Sequence, residues 1–177
     1  MEKFLKVIVT LLVVAIVSAC ETIPSGVEAV SGFDKANYLG KWYEIARMDF
    51  RFEKNMINTT ANYSLNEDGT IKVLNKGYDT LSGEWREAEG KAKFVGADSV
   101  AMLKVSFFGP FYGGYNVIAL DNDYRYALVS GDERSYLWIL SREKTIPNTV
   151  RQNYLSLADS LGYDTTALVW VNQNALE

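Results

Sequence analysis

The chain contains no histidine and one cysteine, so its chemistry has few places to reside. Catalysis by a thiol or an imidazole is closed to the part of the chain after Cys20. The usual nitrogen and sulfur ligands for zinc are missing too, and nothing asks for a metal or a cofactor. Carboxylates and amides remain. Glu44 lies in the alternating run Trp42-Tyr43-Glu44-Ile45-Ala46-Arg47-Met48, on the same face as Trp42 and Ala46. A carboxylate enclosed by apolar side chains is raised in pKa unless it is paired. Glu44 can meet a cationic head group, hold a water chain, or pair with an arginine such as Arg47 or Arg86. Asn75, inward on its own run, needs a hydrogen-bond partner that a ligand or an ordered water can supply. Arg142, ending Trp138-Ile139-Leu140-Ser141-Arg142, is placed to stack on the Trp42 ring, a contact of roughly 0.5–2 kcal/mol. Asp121, Asp123 and Asp132 lack calcium-loop spacing and read as turn acids.

Cys20 closes the run Val17-Ser18-Ala19-Cys20, behind a weakly basic head with Lys3 and Lys6 and an apolar stretch from Val7 to Val17. That stretch is too short for a membrane span. Small side chains ahead of a thiol suit cleavage at Cys20 and its acylation, and the pattern resembles a bacterial lipoprotein signal. Three acyl chains, as the resemblance implies, exceed the two signals that stable anchoring requires. Residues 1–19 are then signal, 20–32 a lipidated tether with turn residues such as Pro24 and Gly26, and 33–177 one domain. Glu21, after the cysteine, fits passage to the outer membrane, with the domain expected to face the periplasm.

At 177 residues the chain supports a single domain with a sizeable core. Its formal charge of −4 moves to about −5 once Glu2, Lys3 and Lys6 are removed. A mildly acidic protein gives no reason to expect a nucleic-acid partner.

The elements that must position these residues are short strands. Gly40 permits a tight turn ahead of the first, and Phe33 to Leu39 predicts a helical turn capped by Asp34. Ile57 to Leu65 ends at Asn66-Glu67-Asp68-Gly69, a hairpin signal leading into Ile71 to Gly77. In Trp85 to Phe94, Glu87, Glu89, Lys91 and Lys93 point to water, leaving Ala88, Gly90, Ala92 and Phe94 inside. Such small inward residues leave space for a neighbour's side chain or for a cavity. Ala101 to Phe107, Tyr115 to Leu120, Tyr124 to Ser130 and Tyr136 to Ser141 follow. Phe108 to Gly114, with one proline and three glycines, reads as an aromatic loop. Val150, Tyr154, Leu157, Ala158 and Leu161 recur at helical spacing after Pro147, and Ala167 to Val171 is a ninth strand candidate. Eight strands joined by hairpins suggest a sandwich or an up-and-down barrel.

Gly40-Lys41-Trp42, Asp121-Asn122-Asp123-Tyr124 and Ile139-Leu140-Ser141-Arg142 resemble, in order and spacing, the three signature regions of lipocalins, although Asn122 stands where threonine is usual. With the signal and the run Val105 to Leu120, the chain is most similar to the bacterial outer-membrane lipoprotein branch, related to apolipoprotein D. The resemblance implies an all-β fold: an eight-stranded antiparallel up-and-down barrel with one C-terminal α-helix outside and a short ninth strand. It also implies a binding protein, not an enzyme, that stores or transports fatty acids or lysophospholipids for membrane maintenance. Two other readings stay open, a structural lipoprotein whose packed barrel acts through a protein partner and a lipid isomerase on the same fold.

Strand alternation nominates the lining: Glu44, Ala46, Tyr63, Val73, Asn75, Phe94, Leu103, Val105, Phe107, Tyr115, Val117, Trp138 and Leu140, with Met48, Ala61, Ala88 and Ala92 beside them. The resemblance implies pocket roles for Tyr63, Asn75 and Trp138, and structural roles for Gly40, Trp42 and Arg142. The Phe108–Gly114 segment belongs at the mouth with Phe50-Arg51-Phe52, where exposed aromatics can gate a ligand, touch a membrane or pair two barrels as a homodimer.

Overall fold

A computed structural model describes residues 22–175, so the signal and Cys20 lie outside the described residues. The chain opens with a helical turn, α1 (Lys35–Tyr38), whose first N–H groups are capped by Asp34 through Ala36 N at 2.8 Å. Eight antiparallel strands follow: β1 (Gly40–Met48), β2 (Met56–Leu65), β3 (Ile71–Asp79), β4 (Glu84–Phe94), β5 (Met102–Phe108), β6 (Phe111–Leu120), β7 (Tyr126–Ser130) and β8 (Leu137–Ser141). Each pairs with the next, and β8 and β2 both pair with β1, closing the sheet into a barrel without free edges.

The first half of β1 pairs with β2 over Gly40–Tyr43; along Ala46–Met48 the same edge is taken by the short β9 (Leu168–Trp170). The helix α2 (Asn148–Ser160) follows Pro147, whose fixed φ suits a helix start. Tyr154 and Ala158 face the barrel and join an outer apolar cluster with Ile118, Tyr126, Leu128, Leu137 and Ile139. The inner cluster uses the alternate residues of the same strands, such as Val117, Ala127, Val129 and Leu140. Period-2 alternation thus feeds two cores from one sheet, one inside the barrel and one beneath the helix.

Three local expectations are corrected. A β-bulge between Glu44 and Ala46 shifts the β1–β8 register, so alternation reverses there. Ala46 and Met48 consequently lie in the outer cluster under α2, while Arg47 turns inward toward Glu44. Phe111–Gly114 is not loop: β5 runs to Phe108, and a Gly109-Pro110 turn leads straight into β6. The expected tether is also no free linker. Val27 is buried in the outer cluster, Ala101 N donates to Val30 O and Val30 N to Val117 O, each at 2.9 Å. Gly114 explains how the strap fits, since a Cβ there would stand 2.1 Å from the Thr22 carbonyl oxygen.

Candidate functional site

One end of the barrel is closed. Trp42 fills it, fully buried, and its Nε1 donates to Tyr38 O at 2.9 Å. The Arg142 guanidinium lies 3.9 Å from the Trp42 ring centroid. Its N–H groups donate to the carbonyls of Asn37, Leu39 and Lys41 at 2.9–3.0 Å, tying the helical turn to the barrel floor. Gly40 adopts φ +93°, a left-handed turn that keeps this corner free of a side chain. Phe33 packs tilted against Tyr38 and Phe94, completing the floor.

Above the floor is a cavity of about 640 Å³, open at the opposite end. Its walls include Tyr63, Val73, Asn75, Val105, Phe107, Tyr115, Trp138 and Leu140, together with Glu44. The cavity owes its width to the short residues Ala61 on β2 and Ala88 on β4, which flank Asn75 in register across β3. Leu103, Val117 and Phe94 also point inward but sit lower, within the inner cluster that forms the floor. Ala46 and Met48, both nominated for the lining, are turned to the outer face by the bulge.

Polar groups punctuate this apolar wall at two depths. At the bottom, the Tyr115 hydroxyl bridges those of Tyr38 at 2.7 Å and Tyr63 at 2.8 Å. Burial raises the pKa of all three, so they are neutral hydroxyls at physiological pH. Further up, Asn75 Oδ1 is buried and has no protein hydrogen-bond partner. An amide oxygen in that position is a ready acceptor for a hydroxyl or ammonium donor.

Nearer the mouth, Arg47 Nη1 donates to Glu44 Oε1 at 2.7 Å, and Nη2 donates to the carbonyl of Glu53 at 2.6 Å. Glu53 itself, on the β1–β2 loop, accepts from Trp138 Nε1 at 3.1 Å. Burial raises the Glu44 carboxyl, and the adjacent Arg47 charge pulls it back. Burial first, and the nearby Glu44 second, push Glu53 up to about 8. Arg47 lies against both carboxylates, 2.7 Å from Glu44 and 4.0 Å from Glu53, and burial shifts both toward their neutral forms, so little uncompensated charge faces the cavity. That lowers the electrostatic cost of admitting a hydrocarbon chain.

Strand alternation misses Arg47, paired with Glu44, and Glu53 on the cavity wall, along with wall residues such as Met56 and Thr59. The bulge hides Arg47, although the adjacent apolar pair Ile45-Ala46 between two charges is its trace in the sequence. Glu53 lies in a loop without periodicity, and no local signal brings it back to the wall. The rim is aromatic: Phe50 packs edge-on against Tyr136 and Trp138, each at 5.7 Å between centroids, and Phe52 lies 6.1 Å from Phe108.

A lipocalin-like domain is matched over residues 33–173. The chain is 56% identical over 160 residues to outer membrane lipoprotein Blc of Escherichia coli K12, covering 89% of this chain and 90% of that protein. It is 40% identical over 124 residues to apolipoprotein D of Rattus norvegicus, covering 65% and 64% of the two chains. Among solved structures, insecticyanin of the tobacco hornworm Manduca sexta superposes with a TM-score of 0.66 at 22% identity, covering 85% of each chain.

Proposed function

The chain belongs to the lipocalin family, and from that premise we propose that it holds a fatty acid or lysophospholipid in its barrel and stores or carries it for membrane maintenance. It is a lipid-anchored lipoprotein of the outer membrane, as the names of its close bacterial relatives state of them. Cys20 is the residue we assign to the anchor, with the barrel on the periplasmic side.

The observation that carries this reading is the cavity. Its volume of about 640 Å³ falls within the about 300–1,000 Å³ usual for ligand sites, and its wall is apolar with a few placed polar groups. Each methylene moved from water to such a wall gains roughly 0.8 kcal/mol, so a chain of ordinary length binds without elaborate polar recognition. Asn75 Oδ1 and the Arg47–Glu53 corner then supply contacts for the polar end. A barrel acting only through a protein partner needs no such room. The isomerase reading is weakened because Glu44, its candidate base, spends one oxygen on Arg47.

Titration of the delipidated protein with lysophosphatidylethanolamine or palmitate, followed by tryptophan emission, tests the reading. Saturable binding is expected. Trp138→Ala, by removing part of the wall, weakens it by roughly tenfold, equivalent to about 1.4 kcal/mol. Failure of both lipids to bind contradicts the reading.

A further inference from the structure

The hydroxyls at the foot of the cavity do not balance. Tyr38, Tyr115 and Tyr63 bring three O–H protons, all retained at physiological pH because burial raises each phenol. Two hydrogen bonds join them, at 2.7 Å and 2.8 Å, both made by the central Tyr115. Each bond uses one proton, so a linear chain of three hydroxyls keeps one to give, whichever way it runs.

Position decides where that proton can go. Tyr63 and Tyr115 stand on the cavity wall, whereas Tyr38 borders the void of about 10 Å³ beneath, among Phe33, Ile71 and Leu103. Hydroxyl protons rotate to suit their partners. An acceptor arriving from the cavity can turn the chain to run from Tyr38 through Tyr115 to Tyr63, with the last proton on Tyr63. Alternatively, Tyr115 receives from both neighbours and donates upward.

Asn75 supplies the complement. Tyr63 faces Val73 across β2 and β3, and Ala61 faces Asn75, so Asn75 stands one inward layer above Tyr63. Its Oδ1 is a buried acceptor without a protein donor. The remaining polar groups of the wall are spent on one another nearer the mouth, where Arg47 holds Glu44 and the Glu53 carbonyl and Glu53 holds Trp138. That corner meets the polar end of a ligand, which leaves the deeper donor and acceptor for a second polar group. A methyl terminus uses neither, and a ketone uses only the donor. A hydroxyl uses both, accepting from the tyrosine chain and donating to Asn75.

We infer that the deep end of the cavity is a hydroxyl subsite, and that the preferred ligand is an acyl chain hydroxylated at or near its far end, held between the Tyr63–Tyr115 hydroxyls and Asn75 Oδ1. This rests on the barrel holding an acyl chain, as proposed above, and adds which chain it selects.

Isothermal titration of the delipidated protein compares hexadecanoate with 16-hydroxyhexadecanoate, and dodecanoate with 12-hydroxydodecanoate, two chain lengths that sample the depth. A purely apolar floor disfavours an added hydroxyl by up to about a hundredfold. Here the hydroxy acid of at least one pair binds as tightly as its parent acid or up to about tenfold tighter. Tyr63→Phe/Tyr115→Phe keeps the rings and removes the donors, and Asn75→Leu removes the acceptor. Each lowers the ratio of hydroxy-acid to parent-acid affinity by about tenfold, whatever it does to both ligands together. Both hydroxy acids binding more weakly than their parents, or a ratio that neither variant moves, overturns the inference and leaves the lipid reading standing. The first comparison needs no variant, so it decides the matter even if a substituted chain fails to fold. Absence of binding by both parent acids and both hydroxy acids removes the lipid reading and this inference with it.

Discussion

Arg142 joins more of the floor than any neighbouring side chain, because one guanidinium stacks on Trp42 and also serves carbonyls from the helical turn, from Lys41 and from Tyr124. Arg142→Ala leaves those carbonyls dependent on water and uncovers the indole. Cation–π and charge-assisted hydrogen-bond terms together predict a loss of about 2–3 kcal/mol. In a domain of this size that lowers Tm by about 5–10 °C, which differential scanning calorimetry measures. Ligand affinity changes little, because Arg142 lies below the floor and not on the cavity wall. Glu53 has the opposite character. Its folded pKa of about 8 stands above the ordinary value of 4.5, so the folded state binds a proton that the unfolded state has released. Stability contributed by this group is full below about 4.5 and falls as pH rises toward about 8. Glu53→Gln retains an acceptor for Trp138 Nε1 and carries no such penalty. Its Tm therefore falls less between pH 5 and pH 8 than that of the parent protein, and an identical pH profile for the two proteins contradicts the assignment.

At the level of elements, the barrel strands, the capped turn before them and the late helix are legible because each obeys a local rule. Val73 and Asn75, and Trp138 and Leu140, stand two apart on undistorted stretches and reach the cavity wall, as do Val105 and Phe107 despite a register shift of β5 against β6 beyond Val105. The rule fails where the backbone departs from period 2. The bulge after Glu44 sends Ala46 and Met48 outward, and only the register of β1 against β8 reveals it. Glycine counts mislead in a different way. Gly113 and Gly114 suggest a loop, yet Gly114 is a strand position stripped of its side chain so that Thr22 can cross it. The strap has no periodicity because its bonds are to two different strand edges and its burial rests mainly on Pro24 and Val27. Gly114→Val places a Cβ against the Thr22 carbonyl and drives the strap outward. Limited proteolysis should then cut between residues 22 and 30 while the barrel stays intact; a strap as resistant as in the parent chain shows that the close approach is relieved elsewhere.

The whole molecule is a cup with unlike ends. Its floor is a stack of rings and hydroxyls held by one arginine, its wall is wide because alanines face asparagine across neighbouring strands, and its rim is aromatic. Two cores share one sheet, so the interior can stay hollow while the outer cluster beneath α2 supplies packing. That division is what lets a barrel of eight strands keep about 640 Å³ of room. The central claim, that this room is for lipid, is tested most directly by native mass spectrometry of protein released from its own membranes. The account predicts an added mass matching a single fatty acid or lysophospholipid, displaced when the wall is filled by Ala88→Trp. A chain that emerges bare from membranes, and stays bare after incubation with both lipids, contradicts it.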